Sequence, residues 1–469
     1  MARHTGSSHR PKARLATLAL ALASVYLAAV AGCQRPETEL PVAAINAQPV
    51  SAKTKPADAA AVLRELAATY QKAKTYEDAG ALRVTAESPD GQKQQSPPMP
   101  FSVALERPNK IRVHSLQASV VADGSKLYAS SDSLENQVLV QPCPKTLTVA
   151  EIFGDELLVE SARAQLGVLP PQLELLLNPK AIESLTLDAT LEILADAEYD
   201  GESCRRVAAK GAGGTAVWWI SPKSGLLVKY EFPSDDLKKK FEVDQLAIVA
   251  EFKGARVDAE IDKDAFAFNV PGGAQLVKRL LPPPPAAPSK LLGEKPAEFA
   301  FVTLDGKPVS QQSLEGKIVV LDLWATWCGW CFEGFPNLEK VYQQFKGNDK
   351  VVILAVNQDD PTVTDEAVRR SFEKARVSIP IVRDSQHVGE KILHVEGLPT
   401  MVVLGVDGAI EDYHIGFDPK LAETLPVKLK KLLGGESLAK EELDRYREAR
   451  KKYDDEFSTA VVSDGGDGQ

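Results

Sequence analysis

Three regimes of apolar spacing follow one another along the chain. An uncharged run, Leu15 to Gly32, comes first. From Ala57 the spacing turns helical: Leu63, Leu66, Ala67 and Tyr70 fall at i, i+3, i+4 and i+7 and predict one amphipathic helix. The period then drops to two. Phe101, Val103 and Leu105 alternate with polar residues, and Pro108-Asn109 turns the chain toward Ile111 and Val113. Asp123-Gly124 is a hairpin signal between Val120-Val121 and Leu127-Tyr128. Val217 to Ile220 and Leu226, Val228, Tyr230 and Phe232 bracket another turn, with further strands expected over 246–252 and 255–261. A Leu-rich stretch, 152–177, suits one or two short helices. Residues 58–275 thus predict an α+β domain, a curved antiparallel sheet with helices on one side.

A proline run (Pro282 to Pro285, then Pro288) marks 276–290 as a semi-rigid linker. Beyond it, nearly continuous apolar runs at 317–324, 351–356 and 400–406 alternate with helical spacing at about 329–346, 364–376, 385–393 and 418–433. Such runs suit strands covered on both faces, so 291–435 predicts an α/β domain. Residues 436–469 form a charged tail that opens with good helix formers.

At 469 residues the chain has room for two or three domains. Its 44% hydrophobic and 26% charged content excludes wholesale disorder, a collagen-like fibre and a multi-span membrane protein. The net charge is −10, and the only charges before Cys33 are four basic residues. With no basic stripe on an acidic chain, nucleic acid is not an expected partner.

Each of the five cysteines, Cys33, Cys143, Cys204, Cys328 and Cys331, needs a place. A cationic start, an apolar run and small residues at its end predict a secretory signal over 1–32. An uncleaved membrane anchor is the competing reading. Either way the rest of the chain lies outside the cytoplasm, with 33–57 as a flexible tether. Cys143 and Cys204 fall in one domain, and in an oxidising compartment they are expected to form a structural disulfide. Closing that loop would stabilise by about 4 kcal/mol; two separate free thiols are the alternative.

The chemistry concentrates at Trp327-Cys328-Gly329-Trp330-Cys331. Haem attachment would need a histidine where Phe332 stands, and zinc would need two more ligands. His387, His394 and His414 lack ligand spacing, so no metal is expected. A redox dithiol remains, needing no cofactor beyond itself. It follows a strand and opens a helix, where free N–H groups and the helix dipole favour a thiolate. That makes Cys328 the expected nucleophile and Cys331, one turn on, the resolver. A buried carboxylate would suit as acceptor of the resolver's proton.

Several segments resemble known families. Val30-Ala31-Gly32-Cys33 resembles a bacterial lipobox, which implies a diacylated Cys33 as mature N-terminus and a lipid anchor at the periplasmic face of the cell envelope. DLWATWCGWCFEGFP resembles the thioredoxin active-site segment, and GEKPAEFAFVTLDGKPVSQQSLEGKIVVLDLW resembles the entry of TlpA-type membrane-anchored thioredoxins. This resemblance covers 291–435 and implies a thioredoxin-like sandwich. It carries the buried acid onto Asp322, the helix proline onto Pro336, and the cis-proline loop onto Gly397-Leu398-Pro399-Thr400. Trp327, Gly329, Trp330, Leu398, Pro399 and Thr400 would then meet the substrate, with Trp324 and Trp327 shaping the surface around the cysteines. Trp330 stands where thioredoxin has proline.

RPNKIRVHS, VVADGSKLYAS, YDGESCRRV, VWWISPKSGLLVKYEF and AFAFNVPGGA, in that order, resemble the LolA/LolB lipoprotein-localisation superfamily. This implies a half-barrel around an apolar cavity, into which one of Trp218 and Trp219 would point. The expected function is therefore a membrane-anchored thiol–disulfide oxidoreductase acting on client proteins, with an electron donor the sequence does not name. The alternative is a carrier lipoprotein whose half-barrel holds a hydrophobic ligand.

Overall fold

The computed structural model describes residues 58–462 apart from 135, 164 and 165. The signal, Cys33 and the tether lie outside the described residues. Those described fall into two units, 58–283 with 457–462, and 284–456.

The first unit opens with α1 (Ala59–Lys72), capped by the Asp58 side chain, which accepts from the Ala60 N–H; Leu63, Leu66, Ala67 and Tyr70 form its buried face. Strands β1 (Thr75–Glu87), β2 (Lys93–Gln95), β3 (Met99–Glu106), β4 (Lys110–Ser115), β5 (Ala118–Asp123), β6 (Lys126–Ser131) and β7 (Gln137–Pro142) follow. Four short helices occupy the Leu-rich stretch and its flanks: α2 (Val149–Ile152), α3 (Glu156–Arg163), α4 (Pro171–Leu177) and α5 (Ala181–Leu185). Then come β8 (Thr190–Tyr199), β9 (Glu202–Gly211), β10 (Gly214–Ile220), β11 (Leu227–Glu231), α6 (Asp235–Phe241), β12 (Gln245–Val257) and β13 (Gln275–Val277).

All thirteen strands form one sheet in the order β13-β7-β6-β5-β4-β3-β1-β12-β11-β10-β9-β8, with β2 added beside β1. Its pairs are antiparallel except β13–β7. The order does not close on itself: β8 stands at one end, and β13, bridged by Val461, at the other. Tyr70 of α1 stacks near Tyr76 of β1 (5.2 Å) and accepts from the Leu227 N–H of β11, so the sheet curves over this helix.

Three expectations change here. Residues 255–261 form no strand of their own: β12 runs on to Val257 through a bulge where Gly254 (φ +65°) and Ala255 face Asp78. The left-handed glycine interrupts the alternation without ending the strand. Cys143 and Cys204 are both free. Eight strands lie between β7, which Cys143 follows, and β9, which holds Cys204. At about 4.8 Å per strand that is far beyond disulfide reach. Each thiol donates instead to a local carbonyl, Cys143 to Asn109 (3.3 Å) and Cys204 to Glu202 (3.5 Å). Both tryptophans expected near a cavity are taken up by protein contacts. Trp218 is fully buried against Tyr230, and Trp219 lies under the Arg206 and Lys229 cations with its indole N–H on Glu231 (2.9 Å).

The second unit contains β14 (Ala300–Thr303), β15 (Pro308–Ser310), β16 (Ile318–Trp324), α7 (Gly329–Phe345), β17 (Val351–Asn357), α8 (Asp365–Ala375), β18 (Ile381–Arg383), α9 (Val388–Lys391), β19 (Thr400–Leu404), β20 (Ile410–Ile415) and α10 (Leu421–Leu433). Its sheet order is β15-β14-β18-β17-β16-β19-β20. The three middle strands β18, β17 and β16 are parallel, and β19 returns antiparallel beside β16. Every residue of β16 is buried, as its apolar run requires. Strand parity divides it: Ile318, Val320 and Trp324 join the core under α7, α8 and α10, while Val319, Leu321 and Leu323 join the opposite core.

The helix formers of the charged tail build α11 (Leu438–Ala460). Ala439 and Leu443 pack into the second of those cores. Beyond the helix Val461 makes an antiparallel bridge with Val277. Among the described residues, no helix is long and apolar enough to cross a membrane.

Candidate active site

Strand β16 ends at Trp324, and four residues later Cys328 stands as the N-cap of α7 in extended conformation. The Cys331 N–H, in the first helical turn, donates to Cys328 Sγ at 3.2 Å as well as to the Cys328 carbonyl (3.2 Å). Cys328 and Cys331 are joined as a disulfide with Cα atoms 5.4 Å apart, as the helical i, i+3 spacing allows. Cys331 begins the buried stripe of α7, followed by Phe335, Leu338, Val341 and Phe345. Cys328 is 5% exposed and Cys331 1%. The outer edge of the pair therefore belongs to Cys328.

Asp322 occupies the position between Val320 and Trp324 on the face of β16 that carries α7. Parity thus puts a carboxyl where an apolar side chain would pack. Burial pushes its pKa up to about 7. A cavity of about 20 Å³ brings together Asp322, Cys331, Pro399, Met401 and His414. That volume admits one water molecule.

The loop before the cysteines is held by a residue that the sequence reading missed. Thr326 donates to Asp359 through its N–H (2.9 Å) and its hydroxyl (3.0 Å), and Asn357 Nδ2 donates to the same carboxylate (2.8 Å). Asp359 follows β17, the parallel neighbour of β16, and Trp324 lies level with Asn357. Two adjacent parallel strands that end together bring their following loops together. That rule, with the polar cluster Asn357-Gln358-Asp359-Asp360, was the available signal.

The remaining expected residues divide by exposure. Trp327 is 73% exposed and Trp330 50%, and Trp330 stacks on Phe417 (5.9 Å). Gly329, the first helical residue, is exposed beside them. Trp324, expected at the surface, is instead fully buried among Phe332, Phe335 and Phe372. Its place at the end of the doubly covered strand gives it no route outward. The Leu398–Pro399 bond is cis. Leu398 is half-buried, whereas Pro399 and Thr400 are buried. The Thr400 hydroxyl donates to the Gly397 carbonyl (2.6 Å), so this side chain braces the loop and is not available to a client. Pro336 lies inside α7. Among the described residues, no group of histidine, cysteine and acidic side chains is arranged to hold a metal ion.

Comparison with known proteins agrees with this geometry. Residues 291–427 match the Redoxin family model, and residues 59–279 match a family described as "Predicted periplasmic protein (DUF2092)". The chain is 32% identical over 124 residues to the thioredoxin-like protein YneN of Bacillus subtilis (strain 168), covering 26% of this chain and 71% of that protein. It is 34% identical over 127 residues to the thiol-disulfide oxidoreductase ResA of Halalkalibacterium halodurans, covering 26% of this chain and 68% of that protein. Among solved structures, the crystal structure of StoA from Bacillus subtilis is similar at 28% identity and a TM-score of 0.25, over 28% of this chain and 94% of that one. Through its second unit, the chain belongs to the TlpA/ResA-type thioredoxin-like thiol–disulfide oxidoreductases.

Proposed function

We propose that this oxidoreductase exchanges disulfides with client proteins outside the cytoplasm, with Cys328 as nucleophile, Cys331 as resolver and Asp322 as acceptor of the resolver's proton. The observation that carries this reading is the single cavity shared by Cys331 and Asp322 directly behind the Cys328–Cys331 bond.

The helix N-terminus supplies the attacking group. In the reduced pair, the Cys331 N–H that already points at Cys328 Sγ is placed to stabilise a thiolate there. That thiolate attacks a client disulfide, the client sulfur–sulfur bond breaks, and the departing client sulfur takes a proton from solvent. A mixed disulfide remains on Cys328. Cys331 then loses its proton to Asp322 and attacks Cys328 Sγ, which re-forms the internal disulfide and expels the second client thiolate. Two electrons pass from the pair to the client, and a dithiol donor must return them. Near neutral pH Asp322 is poised between its two forms, as a group that accepts and releases a proton in each cycle needs to be.

Trp327 and Trp330 offer an exposed apolar surface beside the dithiol for a client segment. Leu398, next to the cis-proline, would offer its backbone to an extended client. The periplasmic description of the matched N-terminal family supports an extracytoplasmic location, and acylation of Cys33 would hold the protein at the membrane. The first unit is proposed as a LolA/LolB-type half-barrel; its antiparallel order and its curvature over α1 support this. Serving as a hydrophobic-ligand carrier has less behind it, because both tryptophans are occupied by protein contacts.

Replacing Cys331 by Ser tests the assignment. Client proteins should accumulate covalently on Cys328, whereas Cys328→Ser should trap almost nothing. Undiminished insulin reduction by Cys331→Ser, with no trapped partner, would refute the assignment.

A further inference from the structure

Asp322, Met401 and His414 form one row across the sheet. Asp322 of β16 pairs with Met401 of β19, and Met401 pairs with His414 of β20. Directly paired residues present their side chains on the same face, so all three face α7. At about 4.8 Å per strand, Asp322 and His414 lie about 10 Å apart along that row. Both line the one-water cavity with Cys331. His414 Nε2 is buried with no hydrogen-bond partner among the described residues. Native proteins rarely leave such an atom unused unless water or function engages it. His414 also lines a surface pocket of about 370 Å³ beside Asp412 and Lys428.

We propose that His414 is the outer member of a proton path, a positioning residue that exchanges protons between Asp322 and solvent through water in the cavity and the adjoining surface pocket. The inference rests on Cys331 being the resolver and Asp322 its proton acceptor. Asp322 takes the proton of Cys331 reversibly, and Cys331 is committed to attack Cys328 Sγ only once that proton has been carried on. His414 accepts that proton at Nε2 through the cavity water and passes one proton on to the pocket. No electrons move in this step, and it leaves Asp322 ionised for the next cycle.

The charges around His414 leave it free to play this part. Facing it from the cavity side are Asp322, Cys331 and Asp418; Asp418 is engaged with the Thr424 hydroxyl and the Lys420 N–H. On the pocket side, Lys428 pairs with Asp412 (2.6 Å), Lys431 with Glu441 (2.6 Å) and Arg445 with Glu442. Glu411 accepts from Ser437 and the Ala439 N–H. The pocket's three cations are thus paired with its acids, and none is left to repel an imidazolium.

Stopped-flow reaction of the reduced full-length protein with dithiobis-nitrobenzoate separates the steps. The first release of chromophore reports attack by Cys328 and the second reports resolution by Cys331. In His414→Gln the first release should be unchanged and the second slowed about tenfold near pH 7, with the deficit shrinking at alkaline pH, where hydroxide replaces the relay. Millimolar imidazole should restore the second release in His414→Ala. In the wild type, heavy water should slow the second release about twofold and spare the first. The wild-type isotope effect needs no variant, so its absence overturns the proposal even should the substitutions fail to fold. So does a second release in His414→Gln at the wild-type rate, or one slowed equally at every pH and deaf to imidazole. A second release at the wild-type rate in Cys331→Ser, well ahead of the slow reaction of the free Cys143 thiol, would instead sink the resolver assignment on which the proposal rests.

Discussion

Thr326 donates both its N–H and its hydroxyl to Asp359, a residue 33 positions away that reaches it because β16 and β17 end side by side. The pair ties the loop before Cys328 to the neighbouring strand and so fixes where the helix N-terminus begins. Asp359→Ala removes the acceptor from three donors, Thr326 twice and Asn357 once. A loss of about 2–4 kcal/mol is expected. Urea unfolding of the full chain measures it; a midpoint equal to that of the wild type would show that the latch does not hold the loop.

Asp322 makes stability depend on pH with a definite sign. Its folded pKa, pushed up to about 7 by burial, lies above the value of about 3.9 expected in the unfolded chain. The folded state therefore holds the proton more tightly. The stabilisation is complete below about pH 4 and is lost as the pH rises to about 7. Asp322→Asn abolishes the titration, so relative to wild type it should gain up to about 4 kcal/mol on going from pH 4 to pH 8. Turnover should fall in the same variant. Parallel pH profiles of the two unfolding free energies would contradict the assignment.

The first unit contains an equivalent buried acid. Asp78 accepts from the Tyr76 hydroxyl (2.7 Å), the Val103 N–H (3.0 Å) and Gln172 Nε2 (3.1 Å), and burial also pushes its pKa up to about 7. Removing the carboxyl leaves all three donors unsatisfied beside the Gly254 bulge. Asp78→Ala should cost about 3 kcal/mol. Calorimetry should show the change in the transition of this unit, with the Cys328 chemistry unaltered. A single-step loss of both would mean that the two units unfold together.

Cys143 and Cys204 should alkylate as two free thiols. Cys143 is half-buried and Cys204 buried, and burial raises the pKa of both. Without reductant, a maleimide should label Cys143 slowly in the native protein and Cys204 only on unfolding. Mass spectrometry of a non-reducing digest decides the matter, because one cross-linked peptide containing both cysteines would restore the disulfide.

What the amino-acid sequence determined by itself was everything that depends on near neighbours. Apolar period separated a β-rich segment from an α/β one, and the spacing Cys328–Cys331 after a buried run was enough to specify a dithiol at a helix start. Strand parity even places Asp322 on the Trp324 face, since residues i and i+2 share a side. The tertiary structure decided what depends on strand order. Asp359 reaches Thr326, and His414 joins Asp322, only because β17 and β19 flank β16 and β20 follows β19. Cys143 and Cys204, both in one domain, are separated by eight strands for the same reason. Burial decided Trp324 and Thr400 in turn: residues beside the cysteines or the cis-proline along the chain are turned inward by the strands that carry them. Periodicity reports which side of an element is apolar, whereas the neighbour that meets that side is chosen by long-range packing.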